Sequence, residues 1–223
     1  MIIEHASINW QIHIPNKVKT LVLGSFNPSN PNNNTDYYYG RSSNYFWKTI
    51  ANLLGKNEDY FCGNYERKIE VMDKYEFCFL DLISDINITG FNEMHEISFK
   101  DQKIFTEYSD SVLFTSNTNF QGGKINVIRN YNQNILNFIN DYSPKRIIHT
   151  LGNNTIDLNF NTKWKENNLG LNGFQGFIST IIENCEYFEQ ISYSPSGRAV
   201  RVGGHDYFQN LRTWIQQNLE INL

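Results

Sequence analysis

Apolar residues along this chain alternate between short continuous runs and longer stripes at three-to-four spacing. "VKTLVLGS" (18–25) is an apolar run ending in Gly-Ser, the pattern of a buried strand. "NYFWKTIANLL" (44–54) places apolar residues at 46, 47, 50, 53 and 54, which predicts a helix closed by Gly55. "YEFCFLDLIS" (75–84) predicts a second strand, and "NQNILNFINDY" (132–142) a helix stopped by Ser143-Pro144. "KRIIHTLG" (145–152) and "YFEQISYSP" (187–195) predict a third and a fourth strand. Phe208, Leu211, Ile215 and Leu219 mark a closing amphipathic helix over 205–219. Strand and helix alternate with short joints. The expected fold is therefore α/β, a single domain over 1–223 with a mostly parallel sheet and helices on both faces. Residues 92–131 and 153–186 break the rhythm and are expected to be elaborations on that core.

Composition narrows the class. The chain has 223 residues, 40% hydrophobic and 15% aromatic, enough for one substantial core. No run of 18 apolar residues occurs, so no membrane span is expected. "MIIEHASINW" lacks a basic start followed by a long apolar stretch, so no signal peptide is expected either. Cys62, Cys78 and Cys185 stand far apart, which fits reduced thiols in a cytoplasmic protein and no zinc or iron–sulfur site. No cofactor is called for: there is no phosphate loop of the G-x-x-x-x-G-K-[ST] kind. "GGHDYF" (203–208) falls short of a metal set, and no context marks a Cys–His nucleophile pair. The net charge of −4 gives no general pull towards nucleic acid, so any such contact must be local.

Two stretches carry unusual chemistry. "SFNPSNPNNNTDYYYGRSSNYFW" (25–47) crowds asparagines and aromatic rings directly after the first strand. "SYSPSGRAVRVGG" (192–204) follows the last expected strand with hydroxyls, glycines and two arginines. Ligands of open α/β sheets bind outside the carboxyl ends of the strands. These two loops are therefore expected to meet at one end of the sheet.

Together they resemble the uracil-DNA glycosylase superfamily. "NPSNPNNNTDYYYGRSSNYFW" resembles the first motif of its mismatch-specific (thymine/uracil) branch, where Asn-Pro follows the first strand and leads to Asn-x-Phe-Trp. "SPSGRA" (194–199) resembles the second motif, Asn-Pro-Ser-Gly-x-Ser. "FLDLISDINITG" (79–90) resembles the middle segment of the hypoxanthine-type branch. Order and spacing extend over most of the chain, while clear motif identity covers about a fifth of it. Ser194 departs from the mismatch branch, which has Asn there, and Arg198 stands at its wedge position.

The resemblance implies a monofunctional DNA glycosylase that flips a base out of DNA and hydrolyses its bond to the sugar. The Asn27 amide would orient the attacking water; the plain alternative is an Asn-Pro turn. Tyr39, with Tyr38 beside it, would stack on the flipped base, although at least one of the three tyrosines belongs to core packing. Asn44 would serve catalysis, read a base edge or cap the helix that begins there. Asp81 would read a base edge or act as a turn acid, and Asp36 is an alternative water-activating group with poorer spacing. Phe46 and Trp47 lie on the apolar stripe and read as core. Ser194, Pro195, Ser196 and Gly197 would let backbone amides approach phosphates, with Arg198 filling the vacated stack and Arg201 pairing with a phosphate. The competing reading is a Ser/Gly turn with solvated arginines. No lysine lies in either motif, so no Schiff base is expected. The partner implied is DNA, bound by a monomer. Two other outcomes stay open: an antiviral defence glycosylase that removes modified phage bases, and an inactive nucleic-acid-binding module on the same fold.

Overall fold

A computed structural model describes residues 2–9, 12–28, 37–89, 117–120, 123–152 and 174–221. Asp36, the asparagine run before it, and most of the two expected elaborations lie outside these residues.

Strand β2 (Thr20–Gly24) is buried at all five positions, as a central strand of an α/β sheet must be. Its parallel neighbours are β3 (Phe77–Asp81) and β7 (Arg146–His149), with Val22 opposite both Phe79 and Ile148. This three-stranded sheet, in the order β3-β2-β7, is parallel. A second sheet is not. Strands β1 (Ile2–Glu4), β4 (Ile83–Thr89), β5 (Asn117–Phe120) and β6 (Gly123–Tyr131) form an antiparallel sheet in the order β1-β4-β6-β5. The expectation of one mostly parallel sheet is corrected accordingly. The apolar run 75–84 holds parts of two strands, and the chain passes between the sheets at Leu82. There Leu82 N–H still donates to Gly24 O at 3.0 Å and Ile83 N–H to Ser25 O at 3.1 Å.

The fourth expected strand shrinks to one parallel bridge between Phe188 and Ile147. Side chains end it. The Ile191 N–H donates to the Glu189 carboxylate at 3.0 Å, and the Ile191 carbonyl accepts Trp214 Nε1–H at 2.9 Å. Both backbone groups of Ile191 are thereby diverted from a ladder.

Helix α1 (Phe46–Leu53) buries Phe46, Trp47, Ile50 and Leu53 of the predicted stripe together with Ala51, while Leu54 is its C-cap and only partly buried. Gly55, at φ 64, supplies the left-handed residue that lets Lys56 N–H return to Ala51 O at 2.8 Å. Helix α2 (Tyr65–Tyr75) is capped by the Asn64 side chain, which accepts Arg67 N–H at 3.0 Å. Helix α3 (Asn134–Tyr142) ends at Ser143 and Pro144 as expected. Helix α4 (Phe174–Glu183) lies inside a stretch expected to be elaboration. Helix α5 (Gly197–Asn218) starts eight positions before the expected helix and is kinked at Gly204, where φ is 66 and ψ −156. It packs against α1. One buried cluster joins the parallel strands to α1, α3, α4 and α5 through Leu23, Phe79, Ile50, Ile139, Ile178 and Ile215. No helix among the described residues is long and apolar enough to cross a membrane.

Candidate active site

The carboxyl ends of β2 and β3 converge on Gly24. A Cβ at this position would collide with Asp81 Oδ1 and stand 2.9 Å from the Tyr39 hydroxyl. Only glycine leaves this space for two functional groups from elsewhere in the chain. Asp81 is 4% exposed, and its Oδ2 lies 2.6 Å from Nε2 of the buried His5. The Asp81 carbonyl accepts Asn132 Nδ2–H at 3.1 Å. Asp81 therefore sits at the end of its strand with its carboxylate held by His5 and its backbone by Asn132, rather than capping a solvent turn.

Asn27 and Pro28 come next along the chain. Asn27 is half-buried and its carbonyl accepts Ala6 N–H at 2.7 Å, while Pro28 forms an antiparallel bridge with His5. The amino-terminal segment thus runs beside the Asn-Pro motif. A short 3-10 helix (Ala6–Asn9) follows the bridge. No periodicity or motif in "IIEHASIN" signals this placement.

The three tyrosines divide sharply. Tyr37 is fully buried and Tyr38 is 3% exposed, its ring stacked on Phe79 at 5.5 Å. Burial pushes the Tyr38 hydroxyl well above its ordinary pKa, with the nearby Asp81 charge adding to the shift. The Tyr38 carbonyl accepts Trp47 Nε1–H at 2.7 Å, which ties this ring pair into the core. Tyr39 has a left-handed backbone, φ 56, and its partly buried ring lies at the margin of the same core. Its hydroxyl lies 2.8 Å from Thr150 Oγ1 beyond β7, and its ring stacks on Phe46 at 4.9 Å. Of the two rings considered for base stacking, Tyr38 is packed inside and Tyr39 stands at the strand ends.

Asn44 Oδ1 accepts Phe46 N–H at 2.9 Å, a local Asx-type turn one residue before Tyr45, the N-cap of α1, which itself makes no side-chain cap bond. The next residue joins the two motif stretches. Tyr45 N–H donates to Pro195 O at 2.8 Å, so the loop after β2 and the segment after the Phe188 bridge touch through their backbones. Gly197 is required at this junction because a Cβ there would collide with Ser43 O. Ser192 Oγ closes the same end by donating to Gly152 O at 2.7 Å and accepting Gly152 N–H at 3.0 Å.

The second motif is a helix start rather than an open loop. Ser196 is the N-cap of α5 and accepts Ala199 N–H at 3.2 Å. Gly197, Arg198 and Arg201 therefore sit on the first turns of α5. Tyr207 locks the approach: its hydroxyl accepts Ser194 N–H at 2.9 Å and donates to Ser194 O at 3.1 Å. Gly203 makes room for this return, since a Cβ there would collide with the Tyr207 side chain. Residues 201–206 are all exposed, as is Arg198, so this turn projects into solvent. Both arginines are solvent-exposed on the first turns of α5.

His149, the last residue of β7, is fully buried with its ring stacked on Phe188 at 5.6 Å. Burial lowers its pKa to about 4, and the Gln190 backbone offsets this only in part. The ring is neutral near pH 7 and belongs to the wall behind the site. No group of three or more His, Cys, Asp or Glu side chains is placed to hold a metal among the described residues.

Sequence reasoning singled out Asn27, Tyr39, Asn44, Asp81 and 194–201, and these stretches share one end of the fold. It missed His5, Ser7, Thr150 and Tyr207. Thr150 had one legible signal, its position at the carboxyl end of the "RIIH" strand; His5 is defined by Asp81, 76 positions away, Ser7 by its contact with that histidine, and Tyr207 by its bonds to Ser194.

Neither a protein-family model nor a curated protein sequence matches the chain. Among solved structures, it is similar to the solution NMR structure of a "putative Uracil DNA glycosylase" from Methanosarcina acetivorans. The TM-score is 0.51 at 16% sequence identity, over 99% of each chain. The likeness is one of fold, and it extends across the whole of both proteins.

Proposed function

We propose that the protein is a monofunctional DNA glycosylase, which holds a flipped base at the carboxyl ends of β2 and β3 and hydrolyses its glycosidic bond. The observation that carries this reading is the Tyr45–Pro195 backbone bond. It joins the end of the first motif stretch, at Tyr45, to the Ser-Pro-Ser-Gly-Arg stretch, as a base pocket with an adjoining DNA contact requires. The likeness of fold to a protein named as a uracil DNA glycosylase supports the same reading.

In this mechanism a water oxygen forms a bond to C1′ of the sugar as the bond from C1′ to the base nitrogen breaks. The electron pair leaves with the base, and the proton lost by the water balances the one the base takes up. Positive charge builds on the sugar in the transition state. A neutral amide carbonyl can orient the water without a permanent charge beside it. Asn27 is assigned this role on the Asn-Pro motif that follows β2, and Asn44, whose Oδ1 accepts Phe46 N–H, is assigned to the turn into α1. Tyr39 is assigned to stack on the base, Asp81 to read its edge, and Arg198 with Arg201 to contact the DNA. With a net charge of −4, DNA affinity rests on those few cations.

The test is a base-release screen across uracil, hypoxanthine, mismatched thymine and modified cytosines, with products identified by mass spectrometry. Asn27→Ala is expected to lower single-turnover release by about 10²-fold or more, the scale of losing one preorganised polar group. Wild-type rates in a folded Asn27→Ala protein would remove Asn27 from the mechanism.

A further inference from the structure

Asp81 is tethered at one oxygen and open at the other. Ser7 N–H donates to His5 Nδ1 at 3.0 Å, and Ser7 Oγ lies 2.7 Å from the same nitrogen. A ring nitrogen that accepts a backbone N–H carries no proton itself. The imidazole proton is therefore on Nε2, where it is donated to Asp81 Oδ2 at 2.6 Å. Asn132 holds the Asp81 carbonyl from the other side. Oδ1 lies over Gly24, beside the Tyr39 hydroxyl, and has no hydrogen-bond partner among the described residues.

We propose that Ser7 and His5 orient Asp81 as a one-sided acceptor, and that the pocket takes a base presenting an exocyclic amino group at that edge rather than a carbonyl. This rests on the glycosylase reading only in taking the ligand to be a flipped base. A side-chain amide can turn to offer either a donor or an acceptor. A carboxylate that already receives the His5 proton has only lone pairs left to offer. A base carbonyl set against Oδ1 brings lone pairs face to face, whereas an amino group donates to it. Carboxylates pair with the cytosine amino group in the grooves of DNA for the same reason. His5 touches Asp81 and not the base, so it is a positioning residue. Stacking, the role assigned to Tyr39, does not discriminate, because every base has a flat face.

Two pairs of bases isolate the difference. Cytosine and uracil share a ring and differ by amino against carbonyl, as do adenine and hypoxanthine. Single-stranded oligonucleotides carrying one of these bases on a 2′-fluoro-2′-deoxyribose, which resists hydrolysis, are titrated by fluorescence anisotropy. The amino-bearing member of at least one pair is expected to bind about tenfold more tightly, within the range of one discriminating base contact. Asp81→Asn should erase or reverse that ratio. His5→Ala should weaken it, and His5→Gln, which keeps an N–H donor towards Oδ2, should restore much of it. A merely structural histidine would lower thermal stability without moving the ratio. Tighter binding of the carbonyl member in both pairs, or an equal ratio in Asp81→Asn, overturns the proposal. Absence of binding by all four does so too.

Release of base from the unfluorinated strands separates this inference from the reading beneath it. Release confined to uracil or hypoxanthine keeps the glycosylase and overturns the amino-selective pocket. An amino preference in binding with no release of any base keeps the pocket and overturns the glycosylase.

Discussion

Residues 37–45 and 194–206 meet at one end of the parallel sheet and present opposite faces to the world. The first stretch begins in the core: Tyr37 and Tyr38 are buried against Phe79, and Tyr39, with its left-handed backbone, is partly buried at the margin. The second begins anchored and ends bare, with residues 201–206 all exposed and Val202 at 81%. Rich aromatic content in the first therefore signals a rigid wall, while the arginines and glycines of the second form a projection. On the proposed function, a pocket that holds a base in fixed geometry and a surface that grips a larger partner call for these two constructions.

The largest test of that contrast is Tyr38→Ala. If the ring is wall rather than contact, its loss empties a buried site and destabilises the protein by about 3–5 kcal/mol, the usual cost of deleting a buried aromatic. Thermal or urea unfolding measures it. A stable Tyr38→Ala protein with impaired ligand binding would instead assign the ring to the pocket surface.

Tyr207→Phe probes the anchor of the projection. Removing one hydroxyl leaves Ser194 N–H and C=O unpaired, a cost of about 1–3 kcal/mol where these groups stay buried and less where water reaches them. The expected pattern is a small drop in melting temperature with a several-fold loss of duplex affinity. Unchanged affinity would show that the projection holds its shape without this bond.

Arg198→Ala is expected to have the smallest and most selective effect. As a filler of the vacated stack, Arg198 matters when a paired base must be extruded, which costs a few kcal/mol, and matters little on a single strand. Release from paired duplex should fall several-fold, from a mismatch less, and from single-stranded DNA hardly at all. An equal loss on every substrate would reassign the residue to general phosphate contact.

Much of the scaffold was legible in local pattern. The runs at 20–24 and 146–149 and the stripes at 46–53 and 134–142 became elements because apolar continuity and spacing report burial directly. Three features were not legible. The split of 75–84 between two sheets depends on which strands arrive beside it, which a single run does not encode. The early start of α5 was hidden by "SPSG" and "GG", since a cap and a kink share their residues with turns. Tyr37 and Tyr38 are buried while Tyr39 takes a left-handed backbone, and a row of identical rings gives no sign of which one breaks the sequence. The candidate site followed the same rule. Motif residues with local context were found, whereas His5 acquires its meaning from Asp81, 76 positions away.

That distance has a kinetic consequence. Tyr39 meets Thr150 across 111 positions, and Thr20 Oγ1 donates to the Asn218 carbonyl across 198. The parallel sheet likewise contains only pairings between distant segments, such as Leu21 with Cys78 and Ile147. Loop closure of this kind is entropically costly before it is rewarded, so chains built from it fold slowly for their size. During synthesis from the amino terminus, Tyr45 has no Pro195 to bond until nearly nine-tenths of the chain has emerged. This junction is thus a late product of folding, absent from every chain not yet made as far as Pro195.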